Sequence, residues 1–231
     1  SAGFIGDPMH HTGLNFVREG YVVLCPDALG FEDRRSRDLP GGDYERYLFC
    51  KYLSEGKSLA WKNILDCRRA LDYLCSRSEV DTGRIGCYGH SLGSTFSWLV
   101  GPWEPRLRCI AGNCCMPSYK AIFGAPLNHS FSNYIPSLGL FGDVPDWVSL
   151  IAPTPLHLNF GAADGLNPID AVRAELPLIA DSYAARDAAD KFSWFIDEGA
   201  GHALTDAMLT RVLDFFCLHL GGPEKKIRES V

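Results

Sequence analysis

The pentapeptide Gly89-His90-Ser91-Leu92-Gly93 sets a serine between two glycines at the end of an apolar run. A serine hydroxyl attacks a carbonyl only when a base takes its proton and an acid orients that base. Chemistry at Ser91 therefore demands a histidine and a carboxylate elsewhere in the chain. Both occur downstream, Asp164 in "NFGAADGLNP" and His202 in "EGAGHALTD", each just past an apolar stretch. Nucleophile, acid and base in that chain order are the set needed for acyl transfer. If a helix starts directly after Ser91, its first N–H groups point at the reacting centre, which makes the Leu92 N–H the natural oxyanion donor.

Other side chains compete for these roles. Asp170 falls inside the helix expected after Asp164, and Asp197 and Glu198 stand at a strand end; Asp164 is preferred and these three stay as alternatives. Among the seven histidines, His202 is singled out by its glycine-flanked loop. His10 and His11 fit a surface helix, His157 a strand and His219 the end of the last helix. His90, the variable residue of the pentapeptide, either lines a pocket or simply packs. His129 lies in an insert from which it could touch a substrate.

A nucleophile held this way needs a strand-turn-helix corner with small flanking residues, because the turn brings backbones together. Arg84 to Tyr88 has the composition of a strand, Asp81-Thr82-Gly83 breaks the chain before it, and Leu92 to Val100 continues as a helix. Further strands are expected at Tyr21 to Cys25, Leu107 to Ala111, Leu156 to Phe160 and Phe192 to Ile196. Residues 58 to 76 carry Ala60, Ile64, Cys67, Leu71 and Leu74 at helical spacing, with the pairs Asp66/Arg69 and Arg68/Asp72 expected on the wet side. Strands alternating with helices predict an α/β fold with a mostly parallel sheet, helices on both faces, and ligands at the carboxyl ends of the strands. Residues 114 to 150, rich in Pro, Gly, Ser, Asn and aromatics, break the alternation and are expected to form a cap. Tyr119, Phe123, Phe131, Tyr134, Phe141 and Trp147 either build the cap's own small core or line a pocket. Residues 221 to 231 are expected to fray as a flexible tail.

At 231 residues, 46% apolar and 22% charged, the chain is long enough for one domain with a substantial core. A net charge of -6 without a long basic run argues against nucleic-acid binding. No stretch reaches the roughly 20 apolar residues that span a bilayer, so no membrane association is expected. Nine cysteines, with Cys25, Cys87 and Cys109 inside apolar runs, suggest small buried thiols in a reducing, cytoplasmic setting. The neighbours Cys114 and Cys115 lack a C-x-x-C or histidine context, and ordinary thiols are expected there rather than a vicinal disulfide or a metal site.

Together, "GYVVLCPDALGFEDRR", "DCRRALDYLCSRSEVDTGRIGCYGHSLGS", "GAADGLNP" and "GAGHALTD" resemble the dienelactone-hydrolase-like and acetyl-xylan-esterase-like branch of the α/β-hydrolases over most of residues 3 to 218. The resemblance implies hydrolysis of small carboxylic esters by Ser91, Asp164 and His202, without cofactor or metal. Dienelactone hydrolase itself has a cysteine nucleophile, so Ser91 shifts the expectation toward serine esterases. The family begins with several strands and a His-Gly-type loop that supplies a second oxyanion donor, whereas this sequence opens at "SAGFIGDPMHH". The expectation is thus a domain over residues 1 to 220 that is incomplete at its N-terminus. Either upstream chain supplies a strand between Tyr21–Cys25 and Arg84–Tyr88, or those two pair directly. Rival readings are a prolyl-oligopeptidase-type peptidase and a non-catalytic hydrolase-fold binding protein.

Overall fold

The computed structural model describes residues 11–114, 118–125, 127 and 129–222. Four strands make one sheet: β1 (Ile85–His90), β2 (Leu107–Asn113), β3 (Leu156–Gly161) and β4 (Phe192–Asp197). They lie side by side in sequence order and every pair is parallel. That arrangement follows from the chain, because each strand is separated from the next by helical segments that return it to the same end of the sheet. All six residues of β3 are buried, as expected of a central strand covered on both faces.

In chain order the helices are α1 (Thr12–Arg18), α2 (Gly41–Ser54), α3 (Leu59–Cys75), α4 (Leu92–Val100), α5 (Tyr119–Gly124), α6 (Val144–Ser149), α7 (Ile169–Ala184) and α8 (Asp206–Leu220). Two apolar clusters lie against the sheet. The larger joins Ile64 and Leu71 of α3, Trp98 and Leu99 of α4, and Val172 and Leu176 of α7 to Ile110, Leu156, Leu158 and Phe160. The smaller joins Phe16 of α1 and Val212, Phe215 and Phe216 of α8 to Cys109 and Ala111. Neighbouring residues Ile110 and Ala111 thus enter different clusters, as the two-residue period of a strand requires.

The expected strand at Tyr21–Cys25 does not form. The segment lies outside regular structure and makes no ladder with β1, whose strand partner is β2. Its alternation survives without pairing: Tyr21 and Val23 pack on the Phe16 cluster while Val22 and Leu24 are exposed. Apolar, β-branched residues suit such a half-buried extended segment, but strand propensity cannot supply a ladder partner, and among the described residues no strand pairs with it. On α3 the charges also regroup, with Asp66 paired to Arg34 and Lys62, Arg69 to Asp72, and Arg68 to Glu104.

Between β2 and β3, Ile122 of α5 and Val144 and Val148 of α6 enter the larger core cluster. Carboxylates anchor this segment through its backbone N–H groups. Glu45 of α2 accepts from the N–H groups of Phe131 and Ser132 and from the hydroxyls of Ser130 and Ser132. Asp143 accepts from the N–H groups of Tyr119 and Lys120, and Glu175 of α7 from that of Ser118. Among the aromatics, Phe131 packs on Phe49, Trp147 packs on the main core and Phe141 is exposed. Tyr134 stacks on Tyr119 and Phe123, which meet each other at a tilt, and the three rings, with Phe49 and Leu53, line an open groove of about 710 Å³. His11 precedes α1, whereas His10, Cys115 and residues 223 to 231 lie outside the described residues.

Candidate active site

Ser91 occupies the corner between β1 and α4 with φ 54° and ψ -119°. A non-glycine residue rarely adopts this conformation, and here the surroundings hold it: the Ser91 N–H donates to the Asn113 carbonyl at 2.8 Å and the Ser91 carbonyl accepts from the Thr95 N–H at 3.1 Å. The corner is tight. A Cβ on Gly89 would stand 2.0 Å from the carbonyl carbon and oxygen of Gly93, so position 89 excludes any side chain. Gly93 differs, since a Cβ there would meet nothing within 4 Å. The expectation that both glycines make room is therefore met at Gly89 only; Gly93 contributes the backbone that Gly89 must approach. Leu92 heads α4, whose aligned peptide dipoles place partial positive charge beside the serine.

Asp164 and His202 converge on this corner from the ends of β3 and β4. His202 Nε2 lies 2.8 Å from Ser91 Oγ, and His202 Nδ1 lies 2.8 Å from Asp164 Oδ2. Asp164 is buried. Burial raises its pKa, but the hydrogen bonds it accepts from His202, the Leu166 N–H and the Asn167 amide outweigh this and hold the carboxyl below its ordinary value. An ionised Asp164 keeps the His202 proton on Nδ1 and leaves Nε2 as the acceptor for the serine hydroxyl. The two loops are also joined directly, the Ala163 N–H donating to the Ala200 carbonyl at 2.8 Å and the Ala162 N–H to that of Asp197 at 2.9 Å.

The remaining candidates fall elsewhere. Asp170 sits in the first turn of α7, and Glu198 forms an exposed ion pair with Arg173. Asp197 organises the loop that carries His202, accepting from the Gly199 N–H and the Thr205 hydroxyl. His157 is buried on β3 between Ser193 and Asn159, and His219 packs on Phe215 of α8. His90 is held by Asn113, with its ring 5.2 Å from that of His202. His129 is half-buried, burial lowers its pKa, and its buried Nε2 has no hydrogen-bond partner.

Two residues of the site were missed from sequence. Asn167, buried, donates to Asp164 Oδ2 at 2.7 Å; its signal was the turn chemistry of Asp164-Gly165-Leu166-Asn167, in which the aspartate bonds its own following backbone. Asn113 is fully buried at the end of β2 and touches both sides of the site. A polar residue closing the apolar run "RCIAGN" was its signal. One group of potential metal ligands converges among the described residues: Cys114 Sγ, an Asp164 oxygen and a His202 nitrogen, all within 4.8 Å. Two of these already bond to each other, so an ion there would take the place of the proton that couples acid to base.

Residues 3–112 match the dienelactone hydrolase family. The chain is 33% identical over 189 residues to YtaP of Bacillus subtilis (strain 168), named as a hydrolase, covering 79% of this chain and 60% of that protein. A Bacteroides fragilis NCTC 9343 structure named as an acetyl xylan esterase superposes with a TM-score of 0.68 at 20% identity, over 83% of this chain and 51% of the other. A glucuronoyl esterase from Solibacter usitatus gives 0.57 at 16% identity, over 71% and 50%. The chain has the α/β-hydrolase fold. The resemblance carried by its four motifs is to the dienelactone-hydrolase and acetyl-xylan-esterase branch of that fold, and the hydrolase-fold chain spans about half to three fifths of the length of these relatives.

Proposed function

We propose that the chain hydrolyses carboxylic esters through an acyl-enzyme on Ser91. The observation that carries this is the continuous chain from Ser91 Oγ through His202 to buried Asp164, two contacts of 2.8 Å each, ending on a strained corner at a helix N-terminus. His202 Nε2 takes the hydroxyl proton as Oγ bonds to the ester carbonyl carbon. The carbonyl oxygen becomes an anion, stabilised by the Leu92 N–H, while Asp164 stabilises the imidazolium. Collapse breaks the bond to the alcohol oxygen, which receives the proton from His202. Water then repeats the cycle: His202 takes its proton, the hydroxyl oxygen bonds to the acyl carbon, and Ser91 leaves with the proton returned to Oγ.

No step of this cycle calls for a metal or an organic cofactor. Small carboxylic esters are the proposed substrate class, with acetyl and glucuronoyl esters among them because an acetyl xylan esterase and a glucuronoyl esterase share the fold. The test is fluorophosphonate labelling with peptide mapping, alongside turnover of p-nitrophenyl esters of graded acyl length. Labelling at Ser91 and its loss, with turnover, in Ser91→Ala are expected. A Ser91→Ala chain that still hydrolyses esters at the original rate removes Ser91 from the mechanism.

A further inference from the structure

We propose that Asn113 is a positioning residue that locks the nucleophile corner to the base loop, an inference that rests on the acyl-transfer reading of the site. Asn113 ends β2, next to the corner in the sheet, and is fully buried. Its backbone carbonyl accepts the Ser91 N–H at 2.8 Å. Its side-chain Nδ2 donates to the Ala203 carbonyl, one residue past His202, at 3.0 Å, and to His90 Nδ1, one residue before Ser91, at 2.8 Å. One residue thus grips both partners of the serine–imidazole contact.

The orientation of the amide is determined by chemistry. A carbonyl oxygen can only accept, so the Ala203 oxygen must face the NH₂ end, and the two amide hydrogens go to Ala203 and His90. The third neighbour of Nδ2, Cys114 Sγ at 3.4 Å, is a weak acceptor. The consequence is that Oδ1 is buried with no hydrogen-bond partner. A buried amide with an orphaned carbonyl is unfavourable, and an apolar residue would pack a strand end without that cost. The arrangement makes sense when both N–H groups are needed where they point.

Two effects on the chemistry follow. The Ala203 tether stops the base loop from pivoting, so Nε2 stays aimed at Oγ while Nδ1 remains on Asp164. The bond to His90 makes Nδ1 of that ring an acceptor, which puts its proton on Nε2 and leaves it neutral; protonating Nδ1 as well would turn N–H against N–H. A neutral His90 spares the His202 imidazolium a like charge beside it.

The test uses Asn113→Asp, which keeps the shape but turns the donor into an acceptor, and Asn113→Ser, which can serve only one of the two acceptors and guards against misfolding of the first variant. Turnover of p-nitrophenyl acetate is measured per fluorophosphonate-titrated site, and ¹⁵N NMR of the histidine rings reports tautomers and the His202 Nδ1–H. A 10- to 100-fold drop in kcat per site with KM changed less than about twofold is expected, in line with the cost of misplacing a reacting group. The Nε2–H signature of His90 should be lost and the His202 Nδ1–H should exchange faster. A purely structural asparagine would lower the titre and the thermal midpoint only, and wild-type kcat per site with unchanged ring spectra would overturn the proposal. If the parent chain neither labels nor hydrolyses esters, the acyl-transfer reading fails; the ring spectra still decide whether Asn113 positions His90 and His202.

Discussion

Gly161 closes β3 just before the turn that carries Asp164, and its lack of a side chain is what lets the acid and base loops touch. A Cβ there would stand 2.2 Å from the Gly201 carbonyl oxygen and 2.5 Å from that of Ala200. Real Cβ atoms essentially never come within 3.0 Å of a non-bonded neighbour, so Gly161→Ala must drive the base loop back by about 0.8 Å or more. His202 follows Gly201 directly. If the displacement passes to its ring along one of its two 2.8 Å contacts, with Ser91 or with Asp164, that contact stretches to about 3.6 Å, beyond hydrogen-bond reach. A misplacement of about 1 Å costs on the order of 10²-fold in rate. Overpacking also costs about 1–3 kcal/mol of stability, which can leave the fold populated. The assay is burst titration with p-nitrophenyl acetate followed by steady-state turnover per titrated site, with thermal unfolding in parallel. Per-site turnover within twofold of the parent would show that the loops separate without moving His202, and would refute this account of Gly161.

Three further outcomes are expected. Asp164→Asn should keep the fold and lower turnover by about 10⁴-fold, because an amide no longer enforces the Nδ1–H tautomer of His202; an Asp197→Asn variant that loses as much chemistry while Asp164→Asn retains it would reassign the acid. Gly89→Ala should abolish soluble expression or labelling while Gly93→Ala still folds, since only the first Cβ collides with backbone; circular dichroism and fluorophosphonate labelling of both variants check this. Burial, reinforced by the Arg211 charge and opposed by the Asn159 bond, holds the His157 pKa below its ordinary 6.5. The unfolded chain therefore binds this proton first, and the contribution of His157 to stability is present above about pH 6.5 and lost as pH falls through the lower folded value. Thermal midpoints should drop between pH 7 and 5, and a His157→Asn variant should show a shallower drop; an identical slope would assign the effect to other groups.

What the sequence makes legible is governed by range. The helix from Leu92 to Val100 and the strands at Leu107, Leu156 and Phe192 depend on local periodicity and on breakers close by, and each appears in the structure within a few residues of its expected bounds. The convergence of Ser91, Asp164 and His202 was legible because acyl transfer would demand these three residue types, and loop positions after apolar runs narrow the choice among seven histidines. Tyr21–Cys25 failed for the opposite reason. Its residues are as β-prone as those of β1, but a strand exists only with a partner, and no property of the five residues encodes one.

Gly161 was invisible for a related reason, and Asn113 showed only as a polar residue closing an apolar run; their contacts explain why such positions matter. In sequence Gly161 is one glycine among 23, and its requirement appears only when the base loop, some 40 residues later, is brought against it. Asn113 has no local role a motif could register; its backbone reaches Ser91 and its amide reaches past His202. The three chemical groups are drawn from three loops on three strands, so their mutual distances are set by backbone contacts between loops rather than by the groups themselves. A 2.8 Å contact between His202 and Ser91 persists only if the carbonyls at Ala200 and Ala203 are held from just past the end of β3 and from the end of β2, and Gly161 leaves room for that of Gly201. Substitutions at the holding residues should therefore damage turnover per site more than their effect on stability predicts, whereas truncations in the core at Leu158 or Val172 should lower the folded fraction and leave the rate of each folded molecule nearly intact.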